Sequence, residues 1–138
     1  MNNITIIGSG SFGCAISYIL SKNNNVKIWS FKEEEKEYIN NEHKCMFLPD
    51  LVLDEKVKYY TNYEEAIKDS NYIIIAVPSS FLRKTCIDIK PYIRTQEVIL
   101  VSKGLENGNL LSEVIKEELN IIPSLISGPS HADRKSVV

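Results

Sequence analysis

The segment ITIIGSGSFG, residues 4–13, decides the fold of this chain, because it joins an apolar run to three glycines spaced as G-x-G-x-x-G. The apolar residues that follow recur at i, i+3, i+4, i+7 and i+8, which predicts an amphipathic helix that begins inside the motif. These residues are Phe12, Ala15, Ile16, Ile19 and Leu20. A glycine motif between a strand and a helix favours a dinucleotide-binding turn, with a glycine-rich turn of some other α/β protein as the alternative.

Each glycine of this turn has its own expected role. Gly8 allows the tight turn from strand to helix, Gly10 leaves room for a pyrophosphate, and Gly13 lets the helix pack closely on the strand. The helix would then present free N–H groups and the positive end of its dipole to the phosphates. We therefore expect the cofactor to bind at Gly8, Gly10 and Gly13.

Length and charge restrict the classes of protein that the chain can represent. Its 138 residues suffice for one domain with a buried core but are few for a two-domain enzyme. The net charge of −2, without a basic stripe, argues against nucleic acid as a partner. The pairs Arg83-Lys84 and Arg134-Lys135 are interpreted as solvated surface. The longest strongly apolar run, Tyr72–Val77, is too short to span a membrane.

The three cysteines, Cys14, Cys45 and Cys86, are far apart and form no C-x-x-C pair. This spacing argues against a zinc site and against a disulfide framework, and we expect no metal. We interpret the three cysteines as reduced residues of a cytoplasmic protein. The first strand begins so close to Met1 that no room remains for a signal peptide.

Apolar β-branched runs alternate with helical patterns along the chain, which predicts an α/β fold with a doubly wound, mostly parallel sheet of the Rossmann type. Strands are predicted at residues 4–7, 26–29, 57–60, 72–77, 98–101 and 125–127. Helices are predicted from the glycine motif to about Lys22, at 32–41, at 63–68, from a cap at Ser79 or Ser80 to before Pro91, and along Leu111, Val114, Ile115 and Leu119 to before Pro123. Residues 1–138 are expected to form one dinucleotide-binding domain.

Three further segments stand where predicted strands end, which is where open α/β sheets bind their ligands. They are VPSSF at 77–81, SKGLE at 102–106 and SGPSHA at 127–132. Together with the glycine turn, Trp29 and the FLP segment at 47–49, they resemble the N-terminal cofactor domain of NAD(P)-dependent glycerol-3-phosphate dehydrogenase. The resemblance covers residues 1–132, with the motifs in the same order and at similar spacings.

This resemblance implies an enzyme that reduces dihydroxyacetone phosphate to sn-glycerol 3-phosphate with a nicotinamide cofactor, a reaction that feeds phospholipid synthesis in bacteria. It implies that Ser11 and Phe12 lie against the cofactor pyrophosphate, that Phe81 packs near the dinucleotide and that Ala132 contacts the cofactor. Gly128 and Ser130 resemble substrate contacts. A homo-oligomer is left open.

Lys103 is the candidate catalytic residue. An ammonium at the end of a strand, beside Gly104, can approach both a carbonyl oxygen and an anionic substrate, and it would stabilise the charge that develops on that oxygen. In the family, the lysine of this segment contacts both cofactor and glycerol phosphate. His131 is expected to position or pack, because the base of the family is a second lysine in a helical C-terminal domain. We expect the chain to be truncated before that domain, and therefore to bind cofactor without reducing the substrate.

The end of the second strand, WSFK at 29–32, bears on the choice between NAD and NADP. It carries no carboxylate to accept from a ribose 2′-hydroxyl, and Lys32 can pair with a 2′-phosphate. Phe31 can stack on adenine but cannot bind phosphate, and many bacterial relatives carry Arg or His there. The acidic run from Glu33 also opposes an extra phosphate unless it points away. These residues predict binding of both cofactors with some preference for NADPH.

Two other interpretations remain open from the sequence. One is the first domain of another dehydrogenase, of the ketopantoate or 6-phosphogluconate type, which the SKG and SGPS segments disfavour. The other is a non-catalytic module that binds a dinucleotide. The length of the natural protein would discriminate between this module and the dehydrogenase.

Overall fold

A parallel sheet forms the centre of the molecule, for which a computed structural model describes residues 1–45, 48–101 and 104–126. The strands are β1 (Asn3–Ile7), β2 (Asn25–Trp29), β3 (Lys44–Cys45), β4 (Leu48–Val52), β5 (Lys58–Tyr60), β6 (Tyr72–Ile75), β7 (Glu97–Leu100), β8 (Leu105–Glu106), β9 (Asn109–Leu110) and β10 (Ser124–Leu125). Six of them form the main sheet in the order β10-β7-β6-β1-β2-β5, and every adjacent pair is parallel. These six coincide with the predicted strands to within about two residues at each end.

The order of the strands reverses at β1, which lies between β2 and β6. Ile7, the last residue of β1, is in register with Trp29 of β2 and with Ile75 of β6. These three strands therefore end at the same level of the sheet. A crevice outside their carboxyl ends is the place where doubly wound sheets bind ligands.

The helices are α1 (Ser11–Leu20), α2 (Glu33–Glu42), α3 (Tyr63–Ile67), α4 (Ser79–Ile89) and α5 (Leu111–Leu119), and a 3-10 turn follows α4 at Lys90–Tyr92. All five match a predicted helix. The expectation that Ser79 or Ser80 caps α4 with its side chain is wrong, since Pro78 is the N-cap and no side chain caps this end. Proline, with its fixed φ, starts the helix one residue earlier. Within the described residues, no helix has the length and apolar character needed to cross a membrane.

Two apolar clusters cover the two faces of the sheet. Alternate residues of one strand point to opposite faces, so Ile7, Ile73 and Ile75 pack with residues of α3, α4 and α5. Ile6, Ile28 and Ile74 belong to the other cluster, with Cys14 of α1 and Ile39 of α2. Burial on both faces explains why these strands are continuous apolar runs. The doubly wound fold is therefore confirmed.

Two short antiparallel hairpins, β3–β4 and β8–β9, were not predicted. β3, β8 and β9 have two residues each, too few for a hydrophobic pattern to be recognised, and in β4 the pattern is interrupted by Pro49 and Asp50. For β8–β9 a signal was nevertheless present, because Asn107-Gly108 is the dipeptide that favours a two-residue hairpin turn. Both residues adopt positive φ, 48° and 83°, as that turn requires.

The cysteines differ from the expectation of three reduced thiols. Cys86 is free and buried, as expected. Cys14 is disulfide-bonded, so the expectation is wrong for this residue. Sequence spacing does not show which thiols the fold brings within bonding distance, and this is why the bond was missed.

Candidate functional site

The glycine turn begins directly after β1, at the point where the strand order reverses. Gly8 has φ +122°, and a Cβ built on it would lie 2.6 Å from the carbonyl oxygen of Ala76. Its N–H donates to the carbonyl oxygen of Trp29 at 2.9 Å. A side chain at Gly8 is thus excluded both by conformation and by the residue that follows β6. This geometry agrees with the tight turn expected there.

Gly13 brings helix α1 against the turn. A Cβ at this position would lie 2.5 Å from the carbonyl oxygen of Gly8 and 3.6 Å from the Ile6 side chain. The helical hydrogen bonds begin beside it, with the Cys14 N–H donating to the Gly10 carbonyl at 3.0 Å. The close packing of helix on strand therefore depends on the missing side chain of Gly13.

Gly10 differs from Gly8 and Gly13, because no atom of the other described residues lies within 4 Å of the position that its Cβ would take. It is the N-cap of α1, with φ −65° and ψ 178°, a conformation open to any residue. The fold itself therefore does not require glycine here. The open space lies at the start of a ten-residue helix whose first turn carries no acidic residue. Its N–H groups without intrahelical partners suit an anion, so the turn fits a dinucleotide pyrophosphate.

Among the described residues, three phenylalanines stand exposed at this edge of the sheet. Phe12, in the first turn of α1, is 52% exposed, Phe31, just before α2, is 70% exposed, and Phe81, in the first turn of α4, is 53% exposed. They follow β1, β2 and β6, which are adjacent strands. Exposed rings gathered at one edge are suited to contact flat ring systems such as adenine and nicotinamide.

The end of β2 is tied to β5 by hydrogen bonds. The Ser30 N–H donates to the Tyr60 carbonyl at 3.0 Å, and the Trp29 indole Nε1 donates to the Thr61 carbonyl at 3.0 Å. Ser30 is buried, and its hydroxyl accepts from the Lys32 N–H at 3.3 Å. Lys32 remains exposed, with its ammonium 5.6 Å from the centroid of the Phe31 ring. An exposed cation therefore stands at the end of β2, the strand end that carries the ribose contacts in doubly wound dinucleotide-binding folds.

Gly104 returns to the same edge of the sheet after β7. Its φ is +113°, and a Cβ built on it would lie 3.4 Å from the hydroxyl oxygen of Ser79 at the start of α4. The hairpin β8–β9 that follows is held by Arg83 of α4, whose Nη2 lies 2.6 Å from Glu106 Oε1. Arg83 Nη1 also lies 3.1 Å from Glu117 and 2.6 Å from Glu118, both on α5. The interpretation of Arg83 as solvated surface is wrong, because side chains distant in sequence converge on it.

This cluster shifts the titration of its members. The Arg83 guanidinium, hydrogen-bonded to Glu106, holds the pKa of that carboxyl below its usual range. The pKa of Arg83 is raised in return, through its hydrogen bonds to Glu106, Glu118 and Glu117. The cluster is therefore charged at neutral pH and clamps the hairpin to α4 and α5.

The predicted site residues divide into two groups. Gly8, Gly10, Phe12, Gly13, Phe31, Lys32 and Phe81 all lie at the carboxyl edge of the sheet, and Ser11 begins α1 there. Lys103, Gly128, Ser130 and Ala132 lie outside the described residues, as does His131. The roles of both groups as cofactor or substrate contacts stay predictions.

Known proteins with similar sequences are dehydrogenases. The chain is 41% identical to glycerol-3-phosphate dehydrogenase [NAD(P)+] of Clostridium acetobutylicum, over 96% of this chain and 42% of that protein. It is 40% identical to the enzyme of the same name from Clostridium tetani, over 96% of this chain and 40% of that one. The chain thus spans about two fifths of the length of the curated relatives it matches.

Solved structures agree with these relatives. The crystal structure of glycerol-3-phosphate dehydrogenase from Coxiella burnetii superposes with a TM-score of 0.87 at 30% identity, covering 99% of this chain and 43% of that one. Residues 3–134 match the family described as NAD-dependent glycerol-3-phosphate dehydrogenase N-terminus. With the glycine turn at the reversal of the strand order, these matches show that the chain belongs to the NAD-dependent glycerol-3-phosphate dehydrogenase N-terminal family.

Proposed function

We propose that residues 1–138 form the cofactor-binding domain of an NAD(P)-dependent glycerol-3-phosphate dehydrogenase, and that NAD(H) or NADP(H) binds at the glycine turn. One observation carries this proposal. Gly10 is open to solvent between two glycines whose Cβ positions are blocked by the backbone. The fold needs glycine at Gly8 and Gly13, whereas at Gly10 only the close approach of a ligand does.

The residues around the turn have distinct tasks in this proposal. Ser11 and Phe12, at the start of α1, lie against the pyrophosphate, whose charge the helix N-terminus stabilises. Phe31 and Lys32 lie at the adenosine end, where a ring and a cation are available. Phe81 packs against the dinucleotide from α4, and Ala132 is a further cofactor contact by family resemblance.

For the whole protein we propose the reduction of dihydroxyacetone phosphate to sn-glycerol 3-phosphate and its reverse. The bound nicotinamide supplies the hydride chemistry. The Lys103 ammonium stabilises the negative charge that develops on the carbonyl oxygen, and Gly128 and Ser130 contact the substrate. This role of Lys103 is supported by Gly104, its neighbour, which lies beside Ser79 at the edge that carries the glycine turn.

The cellular setting is part of the same proposal and rests on the family resemblance. The product, a glycerol phosphate, is the backbone of glycerophospholipids, so we place the enzyme in phospholipid synthesis. We place it in the cytoplasm, and its other ligand is a small phosphorylated molecule. A homo-oligomeric enzyme is compatible with this proposal.

Cofactor binding is tested by isothermal titration calorimetry of the chain with NADH and with NADPH. Gly10→Val should lower the affinity at least about tenfold, ~1.4 kcal/mol, since its branched side chain occupies the space of the pyrophosphate. The variant should stay folded, because a Cβ at this position meets no other residue in the part of the chain that the structure describes. Gly10→Ala, with a smaller side chain, should lose less. A folded Gly10→Val chain with unchanged affinity would place the cofactor elsewhere.

A further inference from the structure

The carboxylate of Glu33, the first acidic side chain after β2, is held by Thr61. Glu33 Oε1 accepts a hydrogen bond from the Thr61 hydroxyl at 2.9 Å. Its second oxygen, Oε2, lies 3.7 Å from the ammonium of Lys36, one turn along α2. Both oxygens of this carboxylate are thus engaged, although the side chain is 66% exposed.

The position of Thr61 decides the side of β2 on which this carboxylate lies. In the sheet β2 stands between β1 and β5. The glycine turn follows β1, whereas Thr61 follows β5, on the other side of β2. The hydrogen bond to Thr61 therefore draws the Glu33 carboxylate away from the turn, and away from the ribose of a dinucleotide bound there.

The other residues that follow β2, up to Lys32, carry no negative charge. The Ser30 side chain is buried and neutral, Phe31 is an exposed ring and Lys32 is an exposed cation. A 2′-phosphate would meet the Lys32 ammonium there, a favourable charge-assisted contact. If Glu33 turned toward the ribose instead, its carboxylate would repel the phosphate and could accept from a free 2′-hydroxyl.

We propose that Thr61 is a selectivity residue: by holding Glu33 on the β5 side, it allows the site to accept the 2′-phosphate of NADPH as well as NADH. This inference rests on the proposed function, since it concerns the cofactor that binds at the glycine turn. Thr61 touches no cofactor in this scheme and acts only through the position of the Glu33 carboxylate.

The test is the ratio of the dissociation constants for NADPH and NADH, measured by calorimetry on the whole chain. Thr61→Val keeps the shape of the side chain and removes the hydroxyl that donates to Glu33. It should raise the NADPH-to-NADH ratio about fivefold, ~1 kcal/mol. Since the released charge acts through solvent, the shift should shrink in high salt.

Two further variants separate this mechanism from a general loss of stability. In the double variant Thr61→Val, Glu33→Gln the released side chain carries no charge, so the ratio should return to within about twofold of the unsubstituted chain. Glu37→Gln, also exposed on α2, makes the same change of charge without touching Thr61 and should leave the ratio unchanged. If a variant only lowers the folded fraction, both apparent dissociation constants change by the same factor, so their ratio stays the same.

The dissociation-constant ratios of these variants distinguish three results. A raised ratio in Thr61→Val that Glu33→Gln abolishes supports the inference. An unchanged ratio in Thr61→Val, or a shift that persists in the double variant, overturns it while leaving cofactor binding intact. If the unsubstituted chain binds neither nucleotide, the proposed function itself fails and this inference falls with it.

Discussion

The indole ring of Trp29 stacks on the phenol ring of Tyr63, with ring centroids 4.0 Å apart and planes 14° from parallel. Trp29 is the last residue of β2, and its carbonyl accepts a hydrogen bond from the Gly8 N–H. The stack therefore stabilises the end of the strand that the glycine turn contacts. Burial raises the pKa of the Tyr63 phenol, which is therefore neutral in the stack at physiological pH. Trp29 is the one tryptophan of the chain, and its fluorescence reports on this part of the site.

Replacing Tyr63 with Leu should lower the free energy of unfolding by about 1–2 kcal/mol, because a stacked aromatic pair contributes roughly 0.5–1.5 kcal/mol beyond its buried area. Tyr63→Phe keeps the ring and is the matched control, with most of the stability retained. Urea unfolding followed by Trp29 fluorescence measures both. Equal midpoints for Tyr63→Leu and the unsubstituted chain would show that the stack contributes nothing to stability.

Gly13→Ala should be destabilised by about 1–3 kcal/mol, the usual cost of overpacking. The added Cβ would lie 2.5 Å from the Gly8 carbonyl oxygen, so helix and turn must separate. Gly10→Ala places its Cβ in open space and should stay within about 1 kcal/mol of the unsubstituted chain, the cost of a poorer N-cap. Thermal unfolding measures the stability of both variants. A Gly10→Ala chain that is less stable than Gly13→Ala would contradict this prediction.

Arg83→Gln should lower the melting temperature at pH 7 by a few degrees. The melting temperature of this variant should also fall less steeply as the pH is lowered. Arg83 lowers the pKa of Glu106 in the folded chain. The pair therefore stabilises the folded state fully at pH values above the ordinary glutamate pKa, about 4.3. That stabilisation disappears as the pH falls through the depressed folded value. The difference in melting temperature between the two chains should therefore narrow below about pH 4.

Lys84→Gln is the control for Arg83→Gln. It removes a neighbouring cation that pairs with Asp88 at 2.8 Å, in an exposed i,i+4 pair. Such pairs contribute little, about 0.3–0.5 kcal/mol. If Arg83→Gln and Lys84→Gln had the same pH dependence, the Glu106 contact would be of no consequence for stability.

Cys86 should resist alkylation in the folded chain. Burial, and then the negative charge of Glu118, raise the pKa of its thiol to about 12, so the reactive thiolate is scarce at pH 8. Iodoacetamide labelling followed by peptide mass spectrometry should find Cys86 unmodified in buffer and modified in concentrated urea. Rapid labelling in buffer would mean that the core around α4 opens readily.

Lys103→Ala should lower the turnover of dihydroxyacetone phosphate by the whole protein on the order of 10²–10³-fold, as loss of a group that stabilises developing charge does. Oxidation of NADPH, followed by absorbance, measures this rate. Lys84→Ala removes an exposed lysine of α4 and should leave the rate unchanged. Turnover that survives Lys103→Ala would assign the stabilisation of the carbonyl oxygen to another residue.

The layered fold was predictable because period and composition are local signals. The apolar runs of β1 and β6, and the i, i+3, i+4 pattern of α5, appear in any short window of the sequence. The glycine turn was predictable for the same reason, since strand, motif and helix are contiguous. The Asn107-Gly108 dipeptide of the β8–β9 turn is an equally local signal.

What the sequence did not reveal depends on contacts between distant residues. Arg83 meets Glu106, Glu117 and Glu118 only after α4, α5 and the β8–β9 hairpin have packed. Thr61 reaches Glu33 because β2 and β5 are neighbours in the sheet. No periodicity connects positions 28 or 34 residues apart, so such side chains are interpreted as solvated surface until the topology is known.

The position of β1 in the sheet also sets the order in which the site is completed during synthesis. Gly8 is translated before Ala76, whose carbonyl fills the space beside it. At about 5–20 residues per second, roughly 3–14 s separate the two. Once β2 has been made, β1 can pair with it but not yet with β6, so one edge of β1 is open to chaperones or to other nascent chains. The glycine turn is therefore translated first and closed only after Ala76 has been made.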